Sequence, residues 1–206
     1  MNDPFDPYEY IGVMIPGSVV IFGGIYLYPD LKAVFGSSDM GLGSLGLFLI
    51  ASLIVGHLIQ GVGNVIYNIW WRIRGGMPTD WVLKTNQKII SPTQKDQLAR
   101  RCTERFNVDI ATIGSRNWYP VVRQMYAAVE TAGRSKRVDS FNRTGGLLRG
   151  ISAGCSVFAA LIVWSHRDRW ELIVLVLIAF GIAIYRMDRF GRHYARELFV
   201  QYLNLP

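Results

Sequence analysis

The chain has 206 residues, of which half are hydrophobic and only 18% are charged, with 21 glycines and a net charge of +7. A water-soluble domain carries about 25% charged residues, so this chain lacks the charge that coats a soluble surface. The same figures exclude a disordered chain, and two cysteines exclude a disulfide scaffold. The composition is that of a protein of the lipid bilayer.

Taken in chain order, the first element is a helix that starts ahead of its apolar stretch. Asp6 fits an N-cap, Pro7 the first helical position and Glu9 the return bond of a capping box. Residues 10–28 follow without a charge, long enough for a hydrocarbon core of about 30 Å, which needs roughly 17–20 apolar residues. Pro16-Gly17 within this stretch predicts a kink. Residues 29–41 read as an outer loop, and 42–71 as a second uncharged span.

Residues 72–146 form an insert that reads as helical. Ser91-Pro92 opens one run that ends near Asn107. A second run is expected from Asn117 or Trp118 to Arg137, with Val122, Tyr126, Val129 and Ala132 at helical spacing. The stretch from Lys136 leads into the third span, 147–164, with Gly145-Gly146 as an expected interruption. Residues 165–169 make a tight turn into the fourth span, 170–185, with Glu171 at the interface. Phe190, Tyr194, Leu198 and Tyr202 recur every four residues, so 186–203 reads as its helical continuation. The expected fold class is all-α: four transmembrane helices with a helical cytoplasmic layer formed by the insert and helix extensions. The expected divisions are 1–71, 72–146, 147–185 and 186–206.

Tyr26, Tyr28, Trp70, Trp71, Trp164, Trp170 and Tyr185 sit at the ends of these stretches, where amphipathic rings favour the headgroup level. Residues 72–149 hold 15 of the 22 lysines and arginines and the tail holds 4 more, against 3 (Lys32, Arg167, Arg169) in the opposite loops. Positive charge stays on the cytoplasmic side, so both termini and the insert are expected in the cytoplasm of a prokaryotic inner membrane. No cleavable signal peptide is expected from the acidic opening residues. Cys102 and Cys155 then lie in reducing or lipid surroundings, and no disulfide is expected.

His57, Gln60, Asn64 and Asn68 are spaced three, four and four apart, which places them on one helix face. Such polar groups are costly against lipid. Their face is expected either to hydrogen-bond between helices or to line an aqueous path in an assembly. Gly146, Gly150 and Gly154, each four apart, are expected to let helices pack closely, with Gly56 and Gly63 in the same part.

Residues 72–149 set their 15 basic residues against six acids, a local +9. Arg100, Arg101 and Arg105 form one cluster, and Arg134, Lys136, Arg137 and Arg143 another. Both suit anionic lipid, and both suit a polyanionic ligand such as a nucleotide or short DNA held through its phosphates. Enzyme signatures are missing: the chain has no Walker loop, no HExxH, no GxSxG and no paired-cysteine metal motif. Arg116-Asn117 resembles the start of the R-N-x-x-x-H ribonuclease motif of HEPN domains, but Val121 stands where the histidine belongs. No catalytic residue, metal or cofactor is expected.

Asp6-Pro7-Tyr8-Glu9-Tyr10, Ile15-Pro16-Gly17 and Gly56-His57-Leu58-Ile59-Gln60, with two spans either side of a basic insert, resemble small four-span prokaryotic membrane effectors of antiviral defence. Within that group the chain is most similar to the channel effectors of Hailong antiphage systems. The resemblance implies a homo-oligomeric channel, expected as a tetramer, that depolarises the membrane of an infected cell. It also implies a cytoplasmic nucleotidyltransferase partner whose DNA oligomers keep the channel shut.

Overall fold

The computed structural model describes residues 7–31, 42–86, 88–166 and 168–206. The expected cap at Asp6 and most of the outer loop lie outside these residues. Six α-helices run through the described chain: α1 Pro7–Leu27, α2 Leu42–Ile73, α3 Pro92–Phe106, α4 Ser115–Thr131, α5 Lys136–Ser165 and α6 Trp170–Leu203. A 3-10 turn covers Asp80–Leu83. The all-α class is observed, with no strand among the described residues.

The local signals explain where several helices begin and end. Ser91 Oγ accepts the Gln94 amide at 3.2 Å while the Ser91 amide donates to Gln94 Oε1 at 3.0 Å, a complete capping box with Pro92 at the first position. Asn107 closes α3 in the left-handed region at φ 52°. The run expected to reach Arg137 stops at Thr131 instead, because Gly133 takes φ +71° and a new helix starts at Lys136. Gly145 and Gly146 do not interrupt α5, which continues unbroken to Ser165; a helix tolerates glycine at about 1 kcal/mol where its backbone bonds stay intact.

The chain divides into two compact units, the first of residues 1–69 and 143–187, the second of residues 70–142 and 188–206. The first unit combines a side-chain cluster, with Leu27, Ile162 and Val176 buried among Ile151, Phe158 and Phe180, with close backbone contact between helices. A β-carbon on Gly17 would collide with the Ser52 carbonyl and stand 2.7 Å from the Gly56 nitrogen, and one on Gly56 would collide with the Val13 carbonyl. Pro16 is buried, its ring 2.6 Å from where Gly150 would carry a β-carbon and its carbonyl oxygen 3.2 Å from where Gly154 would carry one. Glycines on α1, α2 and α5 thus let three helix backbones approach closely. At the other end of this unit Tyr28 Oη and Ser165 Oγ are hydrogen-bonded, and the Tyr28 and His166 rings meet edge-on at 5.7 Å.

The second unit has an ordinary hydrophobic core: Val82, Leu98, Cys102, Trp118, Met125, Val129, Leu198 and Phe199 are all fully buried. Trp118 donates its indole N–H to the Thr79 carbonyl at 2.9 Å, which satisfies the one polar group that this core buries with the ring. Val121 is buried here too, so the truncated ribonuclease motif contributes packing. Trp71, expected at a membrane edge, is instead 3% exposed and packs against Trp81 and the Gly191 backbone.

Both cysteines are buried free thiols. Burial pushes the Cys102 thiol up to about 12 from its ordinary 9.0, because the thiolate would lose its hydration. The folded state therefore holds this proton between pH 9 and about 12 while the unfolded state releases it, and stability falls as pH rises through that window. Maleimide at pH 8 is expected to leave Cys102 of the native protein unlabelled and to label it fully after denaturation. Rapid native labelling, read by mass spectrometry of the Cys102 peptide, would contradict this burial.

Candidate functional site

Four of the helices are long and apolar enough to cross a bilayer: α1 over Tyr10–Leu27, α2 over Gly43–Ile73, and α5 and α6 within Lys136–Ser165 and Trp170–Leu203. Their outward faces carry Phe22, Ile54, Leu58, Leu175, Ile178 and Ile182. Within α2 only 17% of the apolar window is buried inside the chain. Such a surface is stable in lipid or against another apolar surface, not in water. Trp164 and Trp170 are exposed at helix ends, as headgroup anchoring requires, whereas the exposed Tyr185 lies midway along α6, where its apolar run gives way to charged residues.

Against this background the polar stripe of α2 stands out. His57, Asn64 and Asn68 are exposed and Gln60 is half-buried. Ile54, Leu58, Val65 and Ile69 flank them on the same outward surface. Among the described residues none of the four polar side chains has a hydrogen-bond partner. The reason is rotational: α2 turns Ser52, Gly56, Ile59 and Gly63 toward its neighbours, and the stripe lies on a different side. Bonding between helices of one chain therefore does not account for these residues.

The upper members of the stripe meet part of a predicted basic cluster. An open cavity of about 450 Å³ lies in the first unit, bordered by α1, α2 and α5. Its polar lining is Tyr10, His57, Gln60, Arg143 and Arg149, with Gly146 leaving room in its wall. Arg149, which the sequence reading had not singled out, sets its guanidinium 5.5 Å from the Tyr67 ring centroid. The Arg149 Nε is buried without a hydrogen-bond partner. A signal was available: Arg149 is the one charge within the third apolar stretch, 147–164.

The other predicted ligand residues are dispersed by the fold. Arg101 donates to the Tyr202 carbonyl at 3.2 Å and the Leu205 carbonyl at 2.9 Å, and Arg134 to the Asn204 carbonyl at 2.6 Å. Both guanidiniums thereby satisfy orphan carbonyls at the negative end of α6. Arg137 pairs with Glu197 at 3.6 Å and lies over the Phe141 ring. Arg100, Arg105 and Lys136 remain exposed in the second unit.

A further charged cluster was not foreseen. Asp188 is 3% exposed, and it accepts Arg74 Nε at 3.2 Å, Arg192 Nη2 at 2.5 Å and the Trp70 indole N–H at 3.3 Å. Among the described residues no group of three His, Cys, Asp or Glu gathers as a metal site.

Four apolar helices of spanning length, with an unpartnered polar line on one of them, define a polytopic α-helical membrane protein. Comparison with protein-family models, with curated proteins and with solved structures gives no match.

Proposed function

We propose that the protein is a homo-oligomeric ion channel and the membrane effector of an antiviral defence system, opened or closed from the cytoplasm by a nucleotide or oligonucleotide. One observation carries the channel reading: an outward line of unpartnered amides and imidazole on the apolar helix α2. Leaving these groups against hydrocarbon is costly. Arranging several copies of α2 about an axis satisfies them with water or with each other and hides them from lipid. In that arrangement Gly46 and Ile50 continue the same line toward the start of α2. This apolar narrowing would shut by dewetting, while His57 to Asn68 form the wet vestibule.

The setting in antiviral defence comes from the resemblance of residues 6–17 and 56–60 to such effectors. It brings with it the nucleotidyltransferase partner and the short DNA ligand, while the orientation with both termini in the cytoplasm rests on the distribution of lysine and arginine. Arg100, Arg105 and Lys136 supply exposed charge for a polyanion. Arg101, Arg134 and Arg137 add to the field while bonded to their own chain. Ligand control requires unequal affinity for the closed and open forms, and no catalytic step is assigned.

The test is expression with a potential-sensitive dye. Gln60→Leu combined with Asn64→Leu is expected to abolish depolarisation at unchanged membrane abundance. Unaltered depolarisation, or a wild-type protein that assembles but passes no current in planar bilayers, would overturn the channel reading in favour of a non-conducting anchor that recruits a partner.

A further inference from the structure

We infer that the cavity bordered by α1, α2 and α5 in the first unit is a binding site for a phosphate-bearing anion, supplied in the bilayer by the headgroup of an anionic phospholipid. Two guanidiniums, Arg143 and Arg149, line it, and no carboxylate does. Arg149 has no carboxylate partner among the described residues, and its Nε is buried and unbonded. A cation in partly desolvated surroundings needs a counter-charge, and its alternatives are a lost hydrogen bond and a lost ion pair. The planar guanidinium fork fits phosphate oxygens, and the bonds it makes are among the stronger ones in proteins.

The remaining lining fits the rest of such a molecule. Tyr10 brings a hydroxyl that can donate to ester or glycerol oxygens, and His57 and Gln60, the members of the α2 line nearest this cavity, border it. Val13, Leu53 and Leu147 provide an apolar wall for the first carbons of a chain. A volume of about 450 Å³ falls within the range of about 300–1,000 Å³ usual for small-molecule sites. Depth agrees as well: Tyr10 opens the apolar stretch of α1, so the Tyr10 end of the cavity lies where hydrocarbon meets headgroups. Basic pockets between spanning helices at that level hold anionic headgroups. The inference concerns occupancy alone and does not require conduction.

The experiment uses the full chain in phosphatidylcholine nanodiscs, with or without phosphatidylglycerol, and reads thermal unfolding together with lipids retained in native mass spectrometry. The wild type is expected to unfold at higher temperature with phosphatidylglycerol and to retain it. Arg149→Gln should lower its occupancy by about tenfold, the loss of one charge-assisted bond. Arg116→Gln removes the same charge from an exposed position outside the cavity and should leave retention unchanged. If Arg149→Gln does not fold, the exposed Arg143→Gln carries the same test. A parallel arm adds soluble glycerol phosphate in place of the lipid. Arginine-dependent protection by glycerol phosphate alone would keep the phosphate site but overturn the lipid as its source. Equal retention of phosphatidylglycerol and phosphatidylcholine, or wild-type retention by both arginine variants, would overturn the site.

Discussion

Gly56→Val is expected to abolish recovery of folded protein, with the monodisperse peak of a fluorescently tagged chain lost in detergent size-exclusion chromatography. At this crossing the nearest neighbours of the missing side chain are main-chain atoms, with one Val13 side-chain carbon beside them. A β-carbon on Gly56 would run into the Val13 carbonyl, and one on Gly17 into the Ser52 carbonyl. Overpacking against flexible side chains costs about 1–3 kcal/mol. A rigid helix backbone can yield only by moving as a whole, so α1 would separate from α2 along the entire crossing. That separation would also strip Ser52, which is 1% exposed, of its close neighbours. Gly46→Ala and Gly181→Ala provide the contrast: a β-carbon at either meets nothing within 4 Å, and both should express as the wild type does. Wild-type behaviour of Gly56→Val would show that the two helices do not cross at these glycines.

Asp188→Ala is expected to be the most damaging single change in the second unit. Its carboxylate accepts from Arg74, Arg192 and Trp70 at once. Truncation leaves two guanidiniums side by side without their shared anion and an indole N–H without its acceptor. Breaking a fully buried pair costs about 3–5 kcal/mol. Here the two arginine side chains are 43% and 42% exposed, so water recovers part of that and about 2–3 kcal/mol is expected. Asp188→Asn, which keeps an acceptor oxygen but not the charge, should fall between. The measurement is thermal unfolding of the full chain in one detergent, and a melting temperature equal to the wild type for Asp188→Ala would contradict the arrangement.

The helices and their limits were largely legible in the sequence, because those signals are local. Ser91-Pro92 and Gln94 announce the start of α3, and four apolar stretches announce four helices of spanning length. The misreadings were local as well. Helical spacing hid the break at Gly133, which needs only one left-handed residue, and the Gly145-Gly146 pair suggested a break that a continuous α5 does not make. Trp71 read as a membrane anchor by its place at the end of an apolar run, yet Trp81 and Gly191 cover it.

The site divides along the same line. Spacing placed His57, Gln60, Asn64 and Asn68 on one face, since the helical period alone settles that. It did not say that the face would look outward, because that depends on where Gly17 meets Gly56. Counting charge found the arginine clusters but not their separation. Arg101 and Arg134 are drawn to carbonyls at the end of α6, whereas Arg143, only nine residues beyond Arg134, joins Arg149 at the cavity of the first unit.

The amino-acid order by itself determined that this is an α-helical membrane protein with four spans, a basic insert and one polar helical line, because hydropathy and helical period are properties of neighbouring residues. Only the tertiary structure decided which faces are covered, that Asp188 is shared by Arg74 and Arg192, and that Arg149 opens onto a cavity beside His57 and Gln60. The Arg74–Asp188 pair and the lining of the cavity join residues far apart in sequence, and at the cavity the rotation and register that bring them together come from the close approach of α1, α2 and α5 at their glycines.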